Sequence, residues 1–512
     1  MVIGHVIGGR VGEHLIIRLK NDSNANVGDL LVCEDKGLIF YLKIIDKMIS
    51  SSIPSQFIEE ISGQELELDK QIELFDDSER FYPLAYAKIL RVKSEHFSFA
   101  RTIPSFFSRF RKIKSSDLEF MKASEGVDIG HLRVGADCLK DIIVKLPAKN
   151  LVSHHVLISA ATGKGKSNFT KVFVRGLMKN DFISCIIIDP HCEYYGSKGF
   201  KGLSSIDSER IEYFTSDWKN HFNSIDLRIH SQDLVPTDFF GITELSDAQK
   251  EAMDALYKNY NNSWIRALLV DEPINVIWDK LSKNVSIATL YALKRRINYT
   301  LELEDGERGL AFDLSERRGA SIFQSIQEAV CRGKIIILDT SMLGSEAEKL
   351  VSSSIVRRVF GFYRKSKQIN PESFNGLPEV MIIFEEAPRV LGIEALSHGS
   401  NVFEKISREG RKFKVGLCAI TQMPSLIPKE ILSQMNTKVI LGMPSISDRN
   451  AVIESSSQNI GDEGPEIQIL DKGEAIITSP FIDFPMPVKI FNFDELCAND
   501  SQKNKKIQGF GI

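Results

Sequence analysis

Along the first hundred residues, short apolar runs alternate with polar positions: HLIIRL, DLLVCE and IFYLKII are separated by Gly, Asn, Asp and Ser. Runs of that length, punctuated by turn formers, predict strands and tight turns, and so a small β-barrel. From Leu151 the pattern changes. VLISA, CIIIDP, KIIILDT, VMIIFEE, GLCAIT and KVILGM are nearly continuous apolar runs, the kind that a parallel sheet covered on both faces requires. Amphipathic stretches lie between them, so this part reads as an α/β core. Between Leu234 and about Gly333 the strands pause. There Ser246 and Gln249 form a capping box ahead of Met253, Leu256, Tyr257 and Tyr260 at helical spacing, which predicts a mainly helical insertion.

The expected organisation is a barrel with its linker over 1–125, a first part of the core over 126–233, the insertion over 234–332, a second part of the core over 333–495, and a tail over 496–512 whose polar run from Ser501 frays. Between Ser94 and Ser116, Phe106, Phe107 and Phe110 mix with Arg101, Arg109, Arg111, Lys112 and Lys114. That segment reads either as a linker helix with a solvated basic face or as a docking or nucleic-acid surface.

A chain of 512 residues is long for one core, and 43% hydrophobic with 26% charged residues excludes disorder as its theme. Lys+Arg 64 against Asp+Glu 68 gives a net charge of -4, so no global basic signature marks a nucleic-acid binder. Positive charge confined to a channel remains compatible with that balance. The seven cysteines include no CxxC pair, which suggests neither a zinc site nor a disulfide framework and fits a reducing cytoplasm. The start MVIGHVIGGR has no basic segment followed by a long apolar one, and the apolar runs are strand-sized, so neither export nor a membrane span is expected.

The strongest chemical signal is AATGKGKS, Ala160 to Ser167, between the strand VLISA and a helix with Phe169, Val172, Phe173 and Leu177 on one face. A loop in that setting wraps backbone N–H groups around phosphates at a helix N-terminus. Ala161, Thr162, Gly163, Lys164, Gly165, Lys166, Ser167 and Asn168 form the expected nucleotide-binding run. Lys166 reaches the β- and γ-phosphates, the Ser167 hydroxyl faces Mg²⁺, and Gly163 and Gly165 allow the tight wrap. Ala160 stands where the usual pattern has its first glycine.

ATP hydrolysis also needs an acid near Mg²⁺ and a group that orients the attacking water. VMIIFEEAPRV supplies Glu385 for the first task and Glu386 for the second, unless the pair simply caps the next helix. Gln422, ending the strand GLCAIT, is the candidate γ-phosphate sensor. ISREGRKFKVG offers Arg411 or Arg408 as an arginine finger lent by a neighbouring subunit. Asp189 in CIIIDPHCEYYG is either a second acid near the metal or part of a turn shaping a loop that continues through Lys198 and Lys201. Those two and Lys429 are channel candidates by loop position alone.

Taken in order, SHHVLISAATGKGKSN, DPHCEY, FEEAPRVL, SREGRKFKVGL, ITQMPS and GEAIITSPF resemble the HerA family within the FtsK/HerA ATPases over most of the chain. The resemblance implies a RecA-like P-loop ATPase core behind an N-terminal barrel. It further implies a homo-hexameric ring with ATP and Mg²⁺ at subunit interfaces, double-stranded DNA through the channel, and a partner nuclease or other effector in DNA end repair or antiviral defence. An alternative with the same residues is an ATP-binding ring scaffold that activates its partner with little translocation. Ala160, Glu385 for the usual Asp, and Cys192 where HGEY is usual depart from the family pattern.

Overall fold

The structure, a computed structural model, describes residues 1–508 except 70–75, 95–96, 99, 123–125, 198, 222, 282–284, 318 and 398. The N-terminal runs form β1 (Gly4–Gly9), β2 (His14–Leu19), β3 (Leu30–Asp35), β4 (Leu38–Ser51) and β5 (Phe81–Lys93), followed by a short β6 (Phe97–Ser98) and β7 (Arg109–Lys112). The antiparallel circuit β2-β1-β7-β3-β4-β5 closes where β2 also pairs with β5, so the sheet is a barrel without free edges around that ring. Leu15, Ile17, Leu31, Phe40 and Leu42 fill its interior at alternate positions.

β7 corrects the reading of Ser94–Ser116 as a linker helix. In the run RFRK, Phe110 points into the barrel and is fully buried, while β7 pairs with β1 and β3. Arg111 is held outside by Asp117 through two bonds of 2.6 and 2.8 Å. Phe106 and Phe107 do remain exposed.

The second sheet has twelve strands. β8 (Val127–Val134) and β9 (Asp137–Leu146) lead to β10 (Val156–Ser159), β11 (Ile183–Asp189), β12 (Ile211–Thr215) and β13 (Ser224–Asp226). A small pair, β14 (Ile229–His230) and β15 (Phe312–Asp313), brackets the insertion. β16 (Ile335–Asp339), β17 (Glu379–Phe384), β18 (Val415–Thr421), β19 (Thr437–Leu441), β20 (Glu474–Thr478) and β21 (Met486–Ile490) complete the sheet. Its order is β13-β12-β16-β11-β17-β18-β10-β19-β20-β21-β8-β9, parallel from β13 to β19 and antiparallel beyond. The apolar runs from VLISA to KVILGM are thus neighbours in one buried parallel sheet, an α/β fold of the RecA-like kind.

Between β14 and β16 the chain is mainly helical, with helices Asp247–Tyr260, Ile274–Lys280, Ile287–Leu301 and Ile322–Cys331. Ser246 and Gln249 cap the first of them reciprocally, and Trp264 anchors the insertion from full burial by donating to the Leu234 carbonyl at 3.0 Å. At the other end, a helix over Phe493–Gln508 replaces the frayed run expected from Ser501, and 509–512 lie outside the described residues. Phe493 and Cys497 bury its first turns, and Asp500 holds Arg175 at 2.7 Å.

Barrel and core share packing: Leu30, Val32 and Tyr41 belong to the same apolar cluster as Val156, Ile158 and Phe173. No described helix is long and apolar enough to cross a membrane, and none of the seven cysteines is bonded.

Candidate nucleotide-binding site

Parallel pairing aligns the carboxyl ends of four neighbouring strands. Ile188 stands opposite Phe384, Phe384 opposite Ala419, and Thr421 opposite Ser159. Asp189, Glu385, Gln422 and Ala160 therefore emerge along one edge, where ligands of open α/β sheets bind.

The loop after β10 is tied to both flanking strands: the Ala160 N–H donates to Thr421 O at 3.2 Å and the Ala161 N–H to Gly442 O at 3.0 Å. Gly163 (φ 77) and Gly165 (φ 105) take left-handed backbone that a side chain would resist, and Gly165 precedes the helix Lys166–Met178. Ala160 is not among the positive-φ residues, so its methyl imposes no strain where the usual glycine is absent. Lys166 is half-buried. Burial pulls its ammonium pKa below the usual lysine range, against the opposing pull of Glu385, Glu386 and Glu193. Among the described residues no hydrogen bond or ion pair engages that ammonium, which suits it to a phosphate. Ser167 follows on the first helical turn.

Three of the expected loop contacts point elsewhere. Thr162 Oγ1 donates to Gln422 Oε1 at 2.5 Å, and Gln422 Nε2 donates to Glu386 Oε1 at 3.4 Å, so loop, strand end and second acid form one chain. The Lys164 ammonium donates to Leu470 O at 2.7 Å and so braces the loop. Asn168 donates to Phe491 O and accepts from the Phe493 N–H, both at 2.9 Å, clamping the C-terminal segment to the helix. These two side chains hold protein, not phosphate.

The acids differ in setting. Glu385 is buried at the end of β17, accepts a short hydrogen bond from the Tyr194 hydroxyl, and lies 3.8 Å from His191 Nε2. Burial pushes its carboxyl above the usual range, and the Tyr194 bond opposes that. Glu386 sits at φ 50, left-handed backbone that costs a non-glycine residue on the order of 1–3 kcal/mol and tends to occur at functional sites. Asp189 does not face outward as a metal ligand. It is fully buried and its oxygens accept from the N–H groups of His191, Glu193 and Tyr194 at 3.3, 3.1 and 2.9 Å, with burial raising its pKa to about 6. It shapes the turn that carries Tyr194 to Glu385. No group of three His, Cys, Asp or Glu suited to a metal occurs among the described residues.

Arg408 and Arg411 lie at the opposite edge. They belong to the helix Val402–Glu409 and the turn Gly410–Phe413, which enter the amino end of β18. Burial, reinforced by the Arg411 charge, lowers the pKa of His154, just before β10. β18 runs seven residues, roughly 20 Å at ~3.3 Å per residue, from there to the loop. Arg408 is paired with Glu404 at 2.7 Å, whereas Arg411 is exposed. Of the channel candidates, Lys429 is paired with Glu454 at 2.8 Å, Lys201 donates to Asp494 O at 3.1 Å, and Lys198 lies outside the described residues.

A cavity of about 650 Å³ opens beside Gly165 and Asn168, lined further by Lys171, His131, Lys472, Gly473 and the stretch Lys489–Glu495. It adjoins the phosphate loop and has the size of a small-molecule site. Beyond Gly165, Asn168 and Gly473, no motif in the sequence marks these residues, because they come from β8, the helix Lys166–Met178, the turn before β20, and the stretch from β21 into the C-terminal helix.

A phosphate loop, strand-end acids and a polar strand end on one edge of a parallel sheet define a P-loop ATPase. A family model described as "Helicase HerA, central domain" matches residues 127–359. The DNA double-strand break repair helicase HerA of Saccharolobus solfataricus is 26% identical over 509 residues, covering 96% of this chain and 93% of the relative. Its namesake from Pyrococcus furiosus is 27% identical over 420 residues, covering 75% and 73%. Among solved structures, the plasmid coupling protein TrwB in complex with ADP and Mg²⁺ superposes with a TM-score of 0.48 at 12% identity, covering 75% of this chain and 93% of that one. The chain is similar to the HerA helicases over most of its length, and it is an ATPase.

Proposed function

We propose that this ATPase is a homo-hexameric motor that drives double-stranded DNA through its ring and works with a nuclease or other effector enzyme in DNA end repair or antiviral defence. The observation that carries the reading is the separation of Arg411 from its own phosphate loop. An arginine roughly 20 Å away across β18 reaches a γ-phosphate only on a neighbouring subunit, which couples hydrolysis to a ring. Relatives named DNA double-strand break repair helicases supply the DNA.

In this reading Ala161–Ser167 cradle the phosphates, with Lys166 neutralising the β- and γ-oxygens. Ser167 and Glu385 hold Mg²⁺, which when bound draws charge from the departing phosphate. Glu386 orients and deprotonates the attacking water, Gln422 registers the γ-phosphate, and Arg411 of the adjacent subunit completes the site. Arg408 ranks behind Arg411 because its guanidinium is already paired with Glu404. The cavity beside Gly165 takes the base and ribose.

The test is steady-state ATP hydrolysis with and without linear duplex DNA, together with the particle mass, for the wild type and Lys166→Ala. A hexamer whose turnover rises with DNA and vanishes in Lys166→Ala supports the motor. An assembled ring that binds ATP and ignores DNA overturns it in favour of an ATP-binding scaffold.

A further inference from the structure

Six charged groups meet where the barrel rests on the ATPase core. From the barrel wall, Lys43 on β4 reaches Glu466 in a short ion pair and lies 3.9 Å from Glu463, and Lys88 on β5 reaches Asp462 at 2.8 Å and Glu463 at 3.8 Å. From the core, Arg133 on β8 makes a second short pair with Glu466 and donates to Gly135 O at 2.8 Å. Lys43, Arg133 and Glu463 are buried.

Buried pairs add little net stability, because desolvation consumes most of the Coulomb gain and an apolar replacement often does as well. What such a cluster does provide is a fixed placement for the segment that carries it, since leaving one partner alone in the interior is costly. Here the carrier is short. Glu463 takes the N-cap position of the helix Gly464–Ile469 and Glu466 stands in its first turn, and the helix ends at Leu470. The Leu470 carbonyl accepts the Lys164 ammonium at 2.7 Å, and the Gly473 N–H donates to Lys164 O at 3.1 Å. Gly473 also faces Gly165 across the cavity mouth. A path of one helix therefore leads from the barrel wall to the phosphate loop.

We propose that Lys43, Arg133 and Glu466 are positioning residues for ATP, setting the phosphate loop through the Leu470 carbonyl and Lys164. The proposal rests on the ATPase assignment and not on the DNA-motor reading. A loop displaced by a few tenths of an ångström weakens its grip on phosphate equally before and during transfer. Such a change raises KM and leaves kcat in place.

The experiment uses the full chain without DNA, so the motor reading can fail independently. ATP hydrolysis is followed against ATP concentration in Glu466→Gln, Lys43→Met, Lys43→Arg, Lys164→Met and the double variant Glu466→Gln/Lys164→Met, with thermal melting as the check on folding. Glu466→Gln and Lys43→Met should raise KM about tenfold with kcat within about twofold, Lys43→Arg should stay near the wild type, and the double variant should be no worse than Lys164→Met. Should Lys43→Met fail to fold, Glu466→Gln, which keeps the shape of the side chain, carries the measurement. A folded Glu466→Gln with unchanged KM overturns the proposal, as does full additivity with Lys164→Met.

Discussion

Gln422 donates from its amide nitrogen to Glu386 Oε1 across 3.4 Å, and its amide oxygen is taken by Thr162 of the phosphate loop at 2.5 Å. The amide has one donor face and one acceptor face engaged, so a γ-phosphate arriving beside Thr162 must change what Glu386 feels. Gln422→Ala should lower kcat about 100-fold, the range for misplacing a general base, with nucleotide affinity within about twofold. Turnover and equilibrium binding of a fluorescent ATP analogue measure the two. An equal loss in both would make Gln422 a binding residue and end the sensor assignment.

Tyr194 and Glu385 give a pH signature. Burial raises the Glu385 pKa and the Tyr194 hydroxyl pulls it back. The metal-holding form is the carboxylate, so activity is present above that pKa and lost as pH falls through it. The acid limb of kcat/KM should therefore lie above the ordinary carboxylate range, and Tyr194→Phe should move it further up. A limb that stays put in Tyr194→Phe would show that another group controls it.

Arg411 is tested by mixing. If it acts across a subunit boundary, Arg411→Ala rings bind ATP normally and turn over about 10³-fold more slowly, the low end for an arginine finger. Doping Arg411→Ala subunits with Glu386→Gln subunits should restore part of the rate, because mixed interfaces pair an intact Arg411 with an intact Glu386. Arg408→Ala should cost less than tenfold. Mixtures that never exceed the sum of the two parents would refute the trans arrangement.

The parallel sheet is legible because its strands are buried on both faces, and IIIDP or IIFEE carries its charged residues only at the strand end, where they do not confuse the period. The capped insertion helix was legible for a local reason too, since Ser246 and Gln249 are three residues apart. β7 was not, because RFRK has one inward residue, Phe110, among basic ones and is recognised as a strand only when β1 and β3 receive it. β12 was missed alongside it: IEYFT has Glu212 in its second position, answered by Arg332 at 2.8 Å. The phosphate loop could be read from its spacing, but the partners of Lys164 and Asn168 lie 306 and 323 residues away, and only the folded chain shows that these side chains brace the loop. Likewise Asp189 was eligible as a metal ligand until three backbone N–H groups were found to occupy it.

His155 ties the site to folding. It is buried just before β10 in left-handed backbone at φ 57, and its Nδ1 accepts the Leu417 N–H at 2.9 Å, which suits the neutral ring. Burial pulls its pKa from 6.5 down to about 4. Above pH 6.5 neither the folded nor the unfolded chain holds the proton, and the contribution to stability is complete. Between 6.5 and about 4 the unfolded chain takes the proton and the folded one does not, so stability falls with pH, by about 3 kcal/mol across the window. His155→Asn keeps a residue that tolerates the left-handed backbone and removes the titration. Denaturant melts at pH 7.5, 6 and 5 should find the variant less stable than the wild type at the highest pH and the gap closing as pH falls. Parallel losses in both proteins would mean that other groups govern acid unfolding and that His155 is neutral in neither state's favour.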